Sequence, residues 1–274
     1  MQVQDKSVTL NGLRFHYRAW GDPSNSPLLV LHGFLGHARM YDPLGQVMSD
    51  RYWVVALDQR GHGETEWASD YGPELVFDDV ATLVERLGLS RVSILGYSFS
   101  GPIGYTYAAR HPEWVDRLVL LDSGASAGTP SPRALAQVQA WGTLPRTFAT
   151  PQDAQRAFFD VVPRAARIEF QRFVQDGLIQ QSDGRWAWRW DPKLLQTRLP
   201  PPPDFMWRTL PQVICPTLYV RGEDSEYVPL ELAEKMVAVL PHGQLANIPD
   251  AGNFSWFENP TAVIAVVREF LVAR

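Results

Sequence analysis

Val92-Ser93-Ile94-Leu95-Gly96-Tyr97-Ser98-Phe99-Ser100-Gly101 is the stretch on which the fold turns. An apolar run ends at Gly96, a serine stands two residues on, and Ser100-Gly101 opens a helix-like segment. This spacing predicts a buried strand that bends sharply into a helix with Ser98 at the apex. The small flanking residues let the two backbones approach while the serine takes a strained turn that exposes its hydroxyl, a nucleophile elbow.

Outward from that turn, apolar runs recur at Leu28 to Leu31, Trp53 to Leu57, Leu118 to Leu121 and Thr217 to Val220. Helix-like segments at Pro73 to Leu87, Pro102 to Arg110, Leu230 to Leu240 and Pro260 to Val272 lie among them. Apolar strands alternating with helices imply a parallel sheet covered on both faces. Asn11-Gly12, inside Ser7 to Trp20, signals a tight hairpin, so the sheet should begin with antiparallel strands.

The interval from Ser123 to Val213 breaks the rhythm. It is helix-like and rich in aromatics, with Trp141, Phe158, Phe170, Phe173, Trp188 and Trp190 among them, and it carries the proline run Pro200 to Pro203. The expectation is a core domain made of residues 1–122 and 214–274, with residues 123–213 as a helical lid. Most of the aromatics are expected to build a small second core, and a minority to face the site.

Composition bounds the partners. The chain has 274 residues, 45% of them hydrophobic and 20% charged, which is enough for a large buried core. A net charge of -5 gives no basic footprint for nucleic acid. With no leader-like opening and no long apolar run, the expected location is cytoplasmic, away from the membrane. The single cysteine, Cys215, excludes an internal disulfide and reads as a buried structural thiol. No clustering of ligand-type residues suggests a metal or an organic cofactor.

Leu31-His32-Gly33-Phe34-Leu35-Gly36 follows one strand and Leu57-Asp58-Gln59-Arg60-Gly61-His62-Gly63 ends another. With the elbow, with Pro216 to Asp224, and with Ala251-Gly252-Asn253 through Glu258-Asn259-Pro260, they make the chain resemble the alpha/beta-hydrolase family over nearly its whole length. The resemblance implies an eight-stranded, mostly parallel sheet with helices on both faces, a helical lid inserted after the sixth strand, and a triad in the order Ser, acid, His. It also implies an oxyanion hole formed by the amides of Phe34 and Phe99. His32 is expected to brace its loop.

Two positions depart from the family pattern. The usual acid, three residues after Gly222, falls on Ser225, which has no carboxylate. Asp122, at the carboxyl end of a strand, is preferred as the acid over Asp224, and a loop-capping role is its competitor. The usual histidine falls in register on Asn253. A neutral amide can hydrogen-bond the serine but cannot take its proton. His37 and His62 are the least implausible substitutes among the remaining histidines.

The expected function is therefore a serine hydrolase scaffold for an ester, thioester, lactone or activated carbon–carbon bond of a small, largely apolar substrate held under the lid. Asn253 should leave it strongly impaired. Three explanations fit the asparagine: a change made to slow turnover, a natural binder or sensor on a hydrolase fold, or a non-hydrolytic chemistry. Retention of Ser98, the oxyanion loop and Asp122 favours the first.

Overall fold

The computed structural model describes residues 2–124, 132–165, 167–196 and 203–273. Pro200, Pro201 and Pro202 of the proline run lie outside the described residues. Two antiparallel strands, β1 (Gln4–Leu10) and β2 (Leu13–Trp20), open the chain. They turn at Asn11 (φ 47°) and Gly12 (φ 81°), the left-handed pair that a two-residue hairpin requires. Then come β3 (Ser26–Leu31), α1 (Asp42–Met48), β4 (Tyr52–Leu57), α2 (Pro73–Leu87), β5 (Val92–Tyr97), α3 (Gly101–Arg110) and β6 (Val115–Leu121).

After β6 the main sheet pauses. The described residues of the intervening stretch contain α4 (Pro132–Gly142), β7 (Thr147–Phe148), α5 (Pro151–Phe159), α6 (Arg167–Asp176), β8 (Leu178–Gln180), β9 (Trp186–Trp188) and α7 (Pro203–Thr209). The main sheet resumes with β10 (Thr217–Gly222), α8 (Leu230–Ala238), β11 (Gly243–Ile248), α9 (Ser255–Glu258) and α10 (Pro260–Val272). The eight long strands pair in the order β1-β2-β4-β3-β5-β6-β10-β11, parallel from β4 through β11. The stretch between β6 and β10 is not purely helical, because β7, β9 and β8 form a small antiparallel sheet of their own.

Strand alternation divides the core in two. Leu28, Val30, Val54, Ala56, Leu95 and Val119 point to one face, where α1, α10 and the aromatics of the insertion cover them. Leu29, Leu31, Val55, Leu57, Ile94 and Leu118 point to the other, under α2, α3 and α8. Both faces are dry, which is why these runs read as continuously apolar rather than alternating. Each fully buried aliphatic side chain here contributes roughly 1.5–3 kcal/mol. The helices stop where their sequences dictate: α2 ends on Gly88 at φ 63°, with the Leu89 amide reaching back to Val84 O at 2.9 Å. Asn259 caps α10 by accepting the Ala262 amide at 3.2 Å, ahead of Pro260 in the first helical turn.

This arrangement brings the carboxyl ends of β3, β4, β5, β6 and β10 to one edge of the sheet. In open parallel sheets that edge is where ligands bind.

Candidate active site

The elbow follows β5. Ser98 is half-buried and holds φ 52°, a left-handed conformation rare for serine and costing on the order of 1–3 kcal/mol. The close return of the chain explains Gly96: a Cβ there would lie 2.7 Å from Ser100 O. Ser100 Oγ donates to His32 O at 2.5 Å, and Gln59 Nε2 donates to the same carbonyl at 2.9 Å. The helix start, the β3 loop and the β4 loop are thus tied at one buried point.

The β3 loop packs directly on Ser98. A Cβ on Gly33 would fall 2.8 Å from the Tyr97 ring and 3.3 Å from Ser98 Cβ. The next residue is Phe34, whose ring meets Phe99 edge-on at 6.1 Å. The Phe99 amide belongs to the first turn after the elbow, where helical geometry supplies no acceptor. Both expected oxyanion donors are therefore carried by segments packed against Ser98.

The histidines of these loops are committed to structure. His32 accepts the Gln59 amide at Nε2 (3.1 Å), which leaves Nδ1–H to donate to Gly33 O at 2.8 Å. His62 accepts the Leu35 amide at Nε2 (3.3 Å) and donates from Nδ1 to Arg60 O at 3.0 Å, with its ring against Phe99. Burial pushes His32 down to about 4 and His62 down to about 3. His37 donates from Nε2 to Phe173 O at 2.9 Å and stacks on that ring, and burial lowers it as well. These hydrogen bonds engage a ring nitrogen of His37 and both ring nitrogens of His62 in holding their own loops.

Asp122 stands just past the end of β6 at φ 46° and is 2% exposed. Its Oδ2 accepts both the amide and the hydroxyl of Ser255, each at 2.8 Å, which fastens the start of α9. Its Oδ1 is buried without a hydrogen-bond partner. Burial pushes Asp122 up to about 7 against the lowering effect of the Ser255 bonds, and the nearby Glu258 charge adds to the rise. Asp224 is placed differently: it is exposed, and it pairs with Arg164 of the insertion at 3.0 Å.

Asn253 lies in the loop after β11. Its Oδ1 accepts from Glu226 N at 2.9 Å, Tyr227 N at 2.8 Å and Ser225 Oγ at 3.2 Å. Two of these donors are backbone amides, so the atom facing them must be the carbonyl oxygen. Glu258 holds the residues on either side, accepting Gly252 N at 2.7 Å and Phe254 N at 3.3 Å. Arg164 reaches Glu258 at 3.3 Å as well as Asp224, so one side chain of the insertion grips both loops that flank position 253. Trp141 of α4 packs on Phe254 at 5.4 Å, and Phe173 of α6 on Phe257 at 4.8 Å.

The structure thus brings Ser98, Phe34 and Phe99 together, places Asp122 against Ser255, joins Asn253 to Ser225, and turns Asp224 toward Arg164. The roles of Ser255, Glu258 and Arg164 were not foreseen from sequence. Glu258 stood within the quoted motif, but only the fold shows which amides it receives. Among the described residues no cluster of three His, Cys, Asp or Glu side chains could hold a metal ion, and no helix is long and apolar enough to cross a membrane. Cys215 is buried, with its thiol pushed up to about 11 by that burial.

Known proteins share this architecture. The chain is 28% identical to a 3-hydroxybutyrate-oligomer hydrolase of Cupriavidus necator, over 94% of this chain and 92% of that one. It is 26% identical to the sn-1-specific diacylglycerol lipase ABHD11 of Mus musculus, over 92% and 82% respectively. Among solved structures, an alpha/beta hydrolase from Novosphingobium aromaticivorans superposes with a TM-score of 0.84 at 28% identity, covering 98% of both chains. E-2-(acetamidomethylene)succinate hydrolase shares the fold, with a TM-score of 0.83 at 22% identity over 99% of this chain and all of that one. The profile of the alpha/beta hydrolase fold matches residues 26–260, and with the sheet order and the elbow already described, the chain belongs to the alpha/beta hydrolase family.

Proposed function

We propose that this protein is a serine hydrolase scaffold for an ester, thioester, lactone or activated carbon–carbon bond, working through an acyl-enzyme on Ser98. The observation that carries this is Ser98 at φ 52° on the strand-to-helix turn, with the Gly33-Phe34 loop packed on its Cβ. Similarity to proteins named hydrolase, lipase and esterase agrees with that bond class. A serine favours acyl transfer over reactions in which this fold needs a carboxylate nucleophile.

In the reaction, Ser98 Oγ attacks the acyl carbon and the carbonyl electron pair moves to oxygen, where the Phe34 and Phe99 amides receive it. The hydroxyl proton passes to a base, which returns it to the leaving group as the carbon–leaving-group bond breaks. Water then attacks the acyl-enzyme by the same route and frees Ser98. Position 253 is the base station, and Asn253 leaves it without a proton acceptor. Removing the histidine of a serine protease triad costs roughly 10⁶ in turnover, about 8 kcal/mol of barrier. The protein as it stands is therefore strongly impaired.

The insertion acts as a lid. Its aromatics contact Phe254 and Phe257 beside position 253, which favours a small, largely apolar substrate. A second reading, a small-molecule binder on the same fold, is favoured by one observation: Asn253 is held by three hydrogen bonds rather than left as a mere gap.

Prolonged incubation with activated 4-nitrophenyl esters of increasing acyl length distinguishes the two. A hydrolase scaffold lacking its base acylates Ser98 slowly, releasing about one equivalent of 4-nitrophenol and leaving a covalent acyl group that mass spectrometry detects, and Ser98→Ala removes both. A binder saturates with no release above that of the Ser98→Ala control.

A further inference from the structure

The turn at residues 225–227 is lined by hydrogen-bond donors. The Glu226 and Tyr227 amides and the Ser225 hydroxyl all converge on one atom, Asn253 Oδ1. The hydroxyl direction is fixed as well, because Ser225 Oγ accepts the Val228 amide at 3.1 Å while donating to Asn253. Ser225 is 6% exposed, so water does not replace these bonds cheaply. Whatever side chain stands at 253 must offer this turn an acceptor.

That requirement sets the polarity of the site. An asparagine whose oxygen faces the turn carries its N–H₂ on the opposite lobe. In histidine, Nδ1 occupies the place of asparagine Oδ1, one bond beyond Cγ. Facing two backbone amides, Nδ1 would have to be the unprotonated nitrogen, which leaves Nε2 with the proton. Such an imidazole donates where a general base must accept. A carboxylate at 225 reverses this: it satisfies the turn amides itself, as aspartate side chains do in turns, and accepts a proton from Nδ1.

We propose that Ser225 is the positioning residue that sets the hydrogen-bonding polarity of position 253, so that Ser225 and Asn253 form one interlocked pair that makes this station a donor. The proposal rests on position 253 being the base station of the hydrolase reading. The two departures from the family pattern are then one change, which keeps position 253 from drawing a proton from Ser98.

The test is the tautomer of a histidine placed at 253, read from imidazole ¹⁵N shifts as the one ring absent from the parent spectrum. Asn253→His alone is expected to show the Nε2–H tautomer. The double variant Ser225→Asp/Asn253→His is expected to show Nδ1–H. Nδ1–H in the single variant would overturn the proposal, since the buried Asp122 Oδ1 would then have taken over as its acceptor. An unchanged Nε2–H tautomer in the folded double variant would also overturn it. If both tautomers are as expected and neither variant hydrolyses esters, the polarity assignment stands and the hydrolase reading fails.

Discussion

Neutralising Asp122 should change the pH dependence of stability by an amount the structure specifies. The carboxyl is fully buried, one oxygen is occupied by Ser255 and the other has no partner, and burial raises it to about 7 from an ordinary value near 3.8. The fold therefore prefers the protonated form. The stability that Asp122 contributes is fully present below pH 3.8 and is lost as pH rises through 7, a total of about 4 kcal/mol. Between pH 5.5 and pH 8 the loss is about 2 kcal/mol.

Asp122→Asn deletes that dependence while keeping an oxygen for the Ser255 amide. Relative to the parent, the variant should be about 2 kcal/mol better at pH 8 than at pH 5.5, whatever its absolute stability. His32 and His62 have the opposite tendency: burial lowers both, so the stability they contribute is present above pH 6.5 and lost on acidification. Their effect is common to both proteins and cancels in the difference. Urea unfolding at the two pH values, extrapolated to water, reads the change directly. A difference that stays flat with pH would refute the reasoning, because Asp122 would then be ionised in the fold like an exposed carboxylate.

Other substitutions probe the scaffold around Ser98. Gly33→Ala forces the β3 loop off Tyr97 and Ser98, so acylation of Ser98 by a 4-nitrophenyl ester should slow by about 10²-fold while the fold loses about 1–3 kcal/mol. Arg60→Met strips Asp79 of its buried partner, whose ion pair spans 2.5 Å with both side chains at most 5% exposed. The expected cost is about 3–5 kcal/mol in chemical denaturation. Arg164→Ala removes two ion pairs, an exposed one to Asp224 and one to Glu258, whose side chain is 4% exposed, and should cost about 1–3 kcal/mol; hydrogen exchange at Gly252 and Phe254 should quicken because Glu258 loses its guanidinium. Unchanged exchange at those two amides would show that the insertion does not steady the loop.

Much of the core was legible because both faces of the sheet are dry. Helix α2 matches its expected bounds from Pro73 to Leu87 and α10 those from Pro260 to Val272, since proline starts and a left-handed glycine stop are local signals. Helix α1 was missed because Asp42 to Met48 is too short for a clear period. The small sheet β7-β9-β8 was invisible for a different reason: strands of two or three residues carry no alternation to read.

At the candidate site, sequence register singled out Ser98, Asn253 and the absent carboxylate at Ser225. It could not show that Ser225 and Asn253 touch, since they are 28 residues apart and meet only when β10 and β11 align. Nor could it show that Asp122 spends one oxygen on Ser255, or that Asp224 turns outward to Arg164. Those are properties of packing between distant loops.

The central claim is that Ser98 is an acyl-forming nucleophile whose base station has been neutralised. The most direct measurement is the steady-state hydrolysis of 4-nitrophenyl esters by Ser225→Asp/Asn253→His, beside the parent and beside the same double variant carrying Ser98→Ala. A gain of several orders of magnitude, approaching the roughly 10⁶ that a triad histidine supplies and abolished by Ser98→Ala, is the predicted result. A folded double variant that turns over no faster than the parent, or one whose gain survives the loss of Ser98, would contradict it.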